Sequence, residues 1–153
     1  MSNFIADANL RTLLQVDCLL AIGLVAMTGY TSLQRIARKV YATAEDYALN
    51  RMALPTPASD SSQLDDPIAR ARRIHQNHLE NVLPFLVLSA LYALTRPEHM
   101  LFASLLWGYL ALRLAYTFCY ARGLQPHRTI LFSLGLVIQL TVATLTLLAT
   151  FSA

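Results

Sequence analysis

Residues 130–151 contain no charged side chain. A helix needs about 20 predominantly apolar residues to cross a bilayer, and this run supplies them. Three further apolar stretches precede it, at about 13–33, 82–94 and 100–120. The first holds Gln15 and Asp17, and the third is interrupted by Arg113. Residues 82–94 are too few to span alone. The segment becomes long enough if its helix starts near Pro67, with a polar first half. Asp65 and Asp66 stand just before Pro67, and carboxylates ahead of a first-turn proline make a good helix start. Pro84 falls inside this helix and should bend it, which membrane helices tolerate when neighbours satisfy the freed carbonyl.

Composition agrees with lipid as the solvent. The chain is 56% hydrophobic and 14% charged, against about 25% charged residues in soluble domains. Strand alternation is absent from all four stretches, and lipid leaves no unpaired backbone group solvated, so helices are expected. The long first connection holds PTPASDSSQ, a segment rich in turn residues and expected to be mobile. The later links, TRPEH and ARGLQPH, are short, which places consecutive helices antiparallel and adjacent. The expected fold is all-α: one domain over residues 1–153, an up-down-up-down four-helix membrane bundle with spans at about 10–34, 67–94, 99–121 and 128–151.

The net charge of +3 comes from bases clustered beside the spans. No basic-aromatic motif for nucleic acid is present. Arg35, Arg38, Lys39, Arg51, Arg70, Arg72 and Arg73 fall in or near the first connection, and Arg122 and Arg128 in the third. Only Arg11 and Arg96 lie on the opposite side. The positive-inside rule then puts both basic connections in the cytoplasm and both termini on the far side. The N-terminus lacks the basic start and cleavage site of a signal peptide, so the first apolar segment is expected to be retained. Cys18 and Cys119 sit in apolar runs and are read as small core residues, not as a disulfide framework.

The chemistry concentrates in residues 70–84. On a helix, Arg70, Arg73, Asn77, Glu80, Asn81 and Pro84 fall within an arc of about 100°. An ionisable group in a membrane helix costs about 2.5–3.5 kcal/mol on insertion scales, so each needs an offset. Glu80 is expected to pair with Arg73 or Arg113. Tyr109, Arg113, Tyr116 and Tyr120 share one face of the third span, which should turn Arg113 into the bundle. Such a stripe can simply tie helices together by hydrogen bonds. The surplus of arginine over Glu80 argues for more, because an unbalanced cationic cavity repels itself unless an anion enters. The expected ligand is anionic, with several carboxylates, approached from the cytoplasm. His75 and His78 are not joined by other ligands, so no metal is expected. No GxSxG, HExxH, GxGxxG or P-loop appears. Any nucleophile would have to arrive with the ligand.

Three pieces, RIARKVYATAEDY, RARRIHQNHLENVLPF and LRLAYTFCYARGLQPHR, resemble the MAPEG family, the membrane-associated proteins in eicosanoid and glutathione metabolism. The resemblance is nearest to its microsomal glutathione-transferase branch and extends over nearly the whole chain after about residue 25. It implies a homotrimer of four-helix subunits with glutathione as co-substrate, bound between neighbouring subunits. It implies glutathione contacts from Arg35, Arg72, Arg73, His75, Asn77, Glu80, Arg113, Tyr120 and Thr129. Arg128 matches the arginine held to stabilise the thiolate, and Asp46 an acidic residue given a catalytic part in the family's prostaglandin-isomerase branch. The second substrate would be a lipophilic electrophile or a lipid hydroperoxide, entering from membrane lipid. The membrane would be endoplasmic reticulum or outer mitochondrial in a eukaryote, and the inner membrane in a bacterium. Gln76 departs from an arginine of the isomerase branch, Tyr116 from a histidine of both branches, and Tyr47 from a reactive cysteine of the transferase branch. The first two departures weigh against an isomerase. The remaining alternative is a non-enzymatic membrane scaffold.

Overall fold

The computed structural model describes residues 7–40, 44–50 and 66–152. The PTPASDSSQ segment lies outside them. Among the described residues all regular structure is helical: α1 Ala8–Ala37, α2 Ala44–Leu49, α3 Pro67–Leu94, α4 His99–Arg122 and α5 His127–Phe151. Helices α1, α4 and α5 are long and apolar enough to cross a membrane. Helix α3 has 28 residues, but its first half is polar, as the arginine and histidine run requires. Val25, Leu33, Leu114, Phe118, Val137 and Leu140 are all exposed on the outside of the helices. An apolar exterior on this scale fits lipid and not water. The chain is a membrane protein.

Local signals set the helix ends. The Asp66 carboxylate accepts from the amides of Ile68 and Ala69 at 3.3 and 3.1 Å, with Pro67 in the first turn. It also stands 4.0 Å from Arg38, just past the end of α1. The Asp7 carboxylate caps α1 through the amides of Asn9 and Leu10. Glu98 caps α4 through the amides of Met100 and Leu101, both at 2.8 Å. Gly123 ends α4 at φ 70°, a left-handed position that favours glycine.

Helix α3 packs against α1, α4 and α5, while α1 and α5 make no contact with each other. The core is divided lengthwise. Its apolar half holds Val16, Leu20, Val82, Phe85, Tyr92, Phe102, Leu106, Tyr109 and Val142. The Phe85 and Tyr109 rings stack there at 3.6 Å. Cys18 departs from expectation: it is exposed on the outer face of α1, because Val16 and Leu20 take the inward positions of that turn. The other half is polar. His78 Nε2 lies 2.7 Å from Thr117 Oγ1, and Arg113 Nη1 donates to Asn77 Oδ1 at 3.3 Å. Asp17 and Ser89 make a further polar tie between α1 and α3, at 3.0 Å.

Pro84 leaves α3 continuous. Proline nevertheless weakens the hydrogen bonding of the preceding turn, and two neighbours supply donors there. Tyr109 Oη and Gln139 Nε2 both donate to the Asn81 carbonyl, at 2.9 and 2.6 Å. One carbonyl thus ties α3 to α4 and to α5.

Gln139→Leu should lower the thermal stability of the detergent-purified protein by roughly 0.6–1.7 kcal/mol, the range for side-chain hydrogen bonds between membrane helices. Adding Tyr109→Phe strips the carbonyl of both donors, so the double variant should lose more than the sum of the singles. Glu98 yields a pH prediction. The amides of Met100 and Leu101 hold its carboxyl below the usual carboxylate range. Its capping contribution is therefore complete above that range and lost as pH falls through the lowered value. Hydrogen-exchange protection of Met100 and Leu101 should fall at acid pH, and Glu98→Gln should remove that pH dependence.

Candidate functional site

The polar half of α3 opens on two sides. The first opening is a cleft of about 400 Å³ among α3, α4 and α5. It is lined by Arg73, Gln76, Asn77 and Glu80 from α3, Tyr116 and Tyr120 from α4, and Arg128, Thr129 and Phe132 from α5. A second basin of about 380 Å³ with Arg70 and Gly123 adjoins it and shares Arg73, Tyr120 and Arg128. The second opening, about 240 Å³, lies between α1 and α3 and is lined by Thr28, Thr31, Ser32, Arg35, Arg72, His75 and Gln76. Gln76 borders both openings.

Helix periodicity explains the division. Arg73, Asn77 and Glu80 recur at spacings of four and three and share one side of α3. Arg72 and His75 are offset by about 80–160° from those neighbours and turn toward α1. Of the residues marked by sequence, the first cleft brings together Arg73, Asn77, Glu80, Tyr120, Arg128 and Thr129. The second brings together Arg35, Arg72 and His75. Asp46 sits half-buried on α2 and lines neither opening.

Arg113 points inward, as its place in mid-helix demands, but stands behind the cleft wall. It is 2% exposed. Its guanidinium lies 5.0 Å from the Tyr109 ring centre and 5.8 Å from that of Tyr116. Gly135 lies against it: a Cβ built there would sit 3.5 Å from Arg113 Nη2, an ordinary van der Waals distance. Nη1 reaches Asn77, while Nε and Nη2 are enclosed without a hydrogen-bond partner among the described residues. A guanidinium so placed raises the positive potential of the wall in front of it.

Glu80 is a correction. It forms no ion pair with Arg73 or Arg113; its carboxylate is exposed and accepts from Gln76 Nε2 at 2.9 Å. A bond one helical turn away on the same helix is easier to make than one two turns back to Arg73 or across to Arg113 on another helix. Glu80 therefore neutralises neither Arg73 nor Arg128 by contact.

Arg128 is held from two sides. Its guanidinium carbon lies 4.4 Å from the centre of the Tyr120 ring. In the amide orientation that satisfies both of its ends, Gln125 turns its oxygen to Arg128 and accepts from Nε at 3.1 Å and from Nη2 at 2.5 Å, while its nitrogen donates to Thr129 Oγ1 at 3.1 Å. Tyr116 meets Tyr120 edge-on at 5.7 Å and Phe132 at 6.3 Å. Sequence reasoning missed Gln125 and Phe132. The usable signal was spacing: Gln125 precedes Arg128 by three positions and Phe132 follows it by four, so both sit within one turn of it. Chemically, the cleft can hold an anion between fixed guanidinium groups, next to an aromatic wall that suits an apolar partner.

The chain is similar to known proteins over most of its length. Residues 14–148 match the family model described as the MAPEG family. The chain is 32% identical to microsomal glutathione S-transferase 1 of Mus musculus over 146 residues, covering 89% of this chain and 93% of that protein. It is 31% identical to microsomal glutathione S-transferase 1 of Homo sapiens over 121 residues, covering 78% and 77%. It is also 30% identical to prostaglandin E synthase of Mus musculus over 122 residues, covering 77% and 73%. The match runs through α3, α4 and most of α5, the three helices that build the cleft, and this chain is a member of the MAPEG family.

Proposed function

We propose that the protein is a membrane glutathione transferase that holds glutathione as its thiolate and transfers it to lipophilic electrophiles. The observation that carries this reading is the first cleft. Two arginines, one of them locked by Tyr120 and Gln125, face a space beside an aromatic wall in a chain of this family. Glutathione has two carboxylates, and guanidinium groups bind carboxylates through charge-assisted, often bidentate bonds. Its thiol is like a cysteine, with a pKa of about 8.5, and the thiolate is the nucleophile. Arg128 stabilises that thiolate. Sulfur then attacks an electrophilic carbon, a C–S bond forms, and a leaving group such as halide departs.

Arg73, Asn77, Glu80, Tyr120 and Thr129 bind the tripeptide in the same cleft. Arg35, Arg72 and His75 belong to the other opening of the chain, so in this reading they act from a neighbouring copy. That division supports a homotrimer with glutathione between subunits. Each chain then forms one domain, its four long helices running up-down-up-down and its arginine-rich end toward the cytoplasm. Arg113 acts from behind the wall by raising the local potential and fixing Asn77, and Asp46 acts, if at all, from outside the described clefts. The electrophile enters from lipid past Phe132. Lipid hydroperoxides are further substrates of the same thiolate. An isomerase is disfavoured because Gln76 and Tyr116, its two departures, both lie on the cleft wall.

Stopped-flow absorbance in the thiolate band, on mixing the detergent-purified protein with glutathione, tests the reading. The wild type should develop the band near neutral pH. Arg128→Ala should raise the pH midpoint of thiolate formation by about two units, which corresponds to roughly 2.7 kcal/mol, and should abolish conjugation at neutral pH. An unchanged midpoint and turnover would remove Arg128 from the mechanism. Coexpression tests the shared site. Arg35→Ala and Arg128→Ala should each be impaired alone, while mixed oligomers should recover about a quarter of wild-type activity, the share of interfaces that pair an intact Arg35 with an intact Arg128. No recovery would place both residues in one subunit's site.

A further inference from the structure

Two tyrosines of α4, Tyr116 and Tyr120, line the cleft with hydroxyls that make no hydrogen bond to a described residue, and Tyr116 is the more deeply buried. Tyr109, on the same face, spends its hydroxyl on the Asn81 carbonyl, and Thr117 bonds His78 and the Arg113 carbonyl. Tyr116 is 4% exposed and lines the cleft. Its ring is fixed among Tyr120, Phe132 and the Arg113 guanidinium. Its hydroxyl makes no hydrogen bond to a described residue, yet it is not among the sealed polar atoms. A buried, immobilised ring with an uncommitted hydroxyl open to the cleft is placed to serve a bound molecule.

We infer that Tyr116 is a proton donor for hydroperoxide substrates, and that it sets the balance between peroxide reduction and conjugation. The inference rests on the transferase reading above. In the peroxide reaction, the glutathione thiolate attacks the terminal oxygen of the hydroperoxide. An S–O bond forms and the O–O bond breaks. The electron pair leaves on the inner oxygen as an alkoxide, which takes the Tyr116 proton and departs as the alcohol. Sulfur is oxidised to the glutathione sulfenic acid, and the peroxide is reduced. A second glutathione thiol then converts the sulfenic acid to the disulfide with release of water, and solvent returns a proton to the tyrosinate. The sum is two thiols and one hydroperoxide giving one disulfide, one alcohol and one water. An alkoxide is far more basic than a phenolate, so the transfer runs downhill. Halide leaving groups need no proton, so conjugation of a haloarene lacks this demand.

Tyr116→Phe keeps the ring and removes only the hydroxyl. Turnover of a lipid hydroperoxide and of a chloroarene is measured on the same detergent-purified preparations, together with the thiolate band. The hydroperoxide kcat should fall at least about tenfold further than the chloroarene kcat, a modest share of what general acids usually contribute. The thiolate midpoint should stay with that of the wild type. Tyr116→His, which restores a proton-bearing group, should recover part of the lost ratio. A parallel fall in both activities, a raised thiolate midpoint, or no change in the ratio would each overturn the inference. A wild type that forms no thiolate and turns over neither substrate would overturn the transferase reading itself.

Discussion

Arg113 carries a permanent charge into the middle of an apolar helix, and 2% of it is exposed. Guanidinium does not lose its proton in proteins, so the charge must be accommodated as it stands. The bundle does so with the faces of Tyr109 and Tyr116 and one bond to Asn77. Two of its nitrogens have no hydrogen-bond partner among the described residues. Enclosed donors of this kind are costly, by about 1–3 kcal/mol or more for charged groups. A fold that keeps them is stabilised by negative charge placed nearby, and the first cleft is where that charge can enter.

The same demand organises α3. Its second half is apolar and locks into a core of stacked and tilted rings. Its first half presents arginine, asparagine and glutamate. Pro84 marks the change of character, and the Asn81 carbonyl just before it anchors both α4 and α5. The anchor fixes the heights of Tyr109 and Gln139. Tyr116 is two turns along α4 from Tyr109, and Arg128 three turns back along α5 from Gln139. The cleft walls are thereby held at a set separation by a bond outside the cleft itself.

Much of the layout was legible in sequence. The helix expected over 67–94 is Pro67–Leu94, because Asp66 and Pro67 are local signals that need no tertiary context. Helix α5 begins one residue before its expected start. The first runs beyond 10–34 to Ala8–Ala37, since Asp7 caps it and Gln34 and Arg35 continue the helix past the apolar run. The inward aim of Arg113 followed from the length of its helix alone. What escaped depends on packing. Arg72 and Arg73 are adjacent in sequence but border different openings, and only the placement of α1 and α5 decides which. The position of Arg113 behind the wall depends on Asn77 of another helix, to which it donates. Glu80 found Gln76 one turn away, where sequence reasoning looked to Arg73 two turns back or across to Arg113.

The central claim is that the arginine-rich cleft is shaped for a small anionic thiol shared between chains. A high-resolution structure of the protein in a lipid nanodisc, saturated with glutathione, tests it most directly. The account predicts tripeptide density in the first cleft, with sulfur beside Arg128 and a carboxylate reached by Arg35 or Arg72 of an adjoining subunit. Glutathione lodged elsewhere, or a first cleft filled by lipid at saturating glutathione, would contradict it.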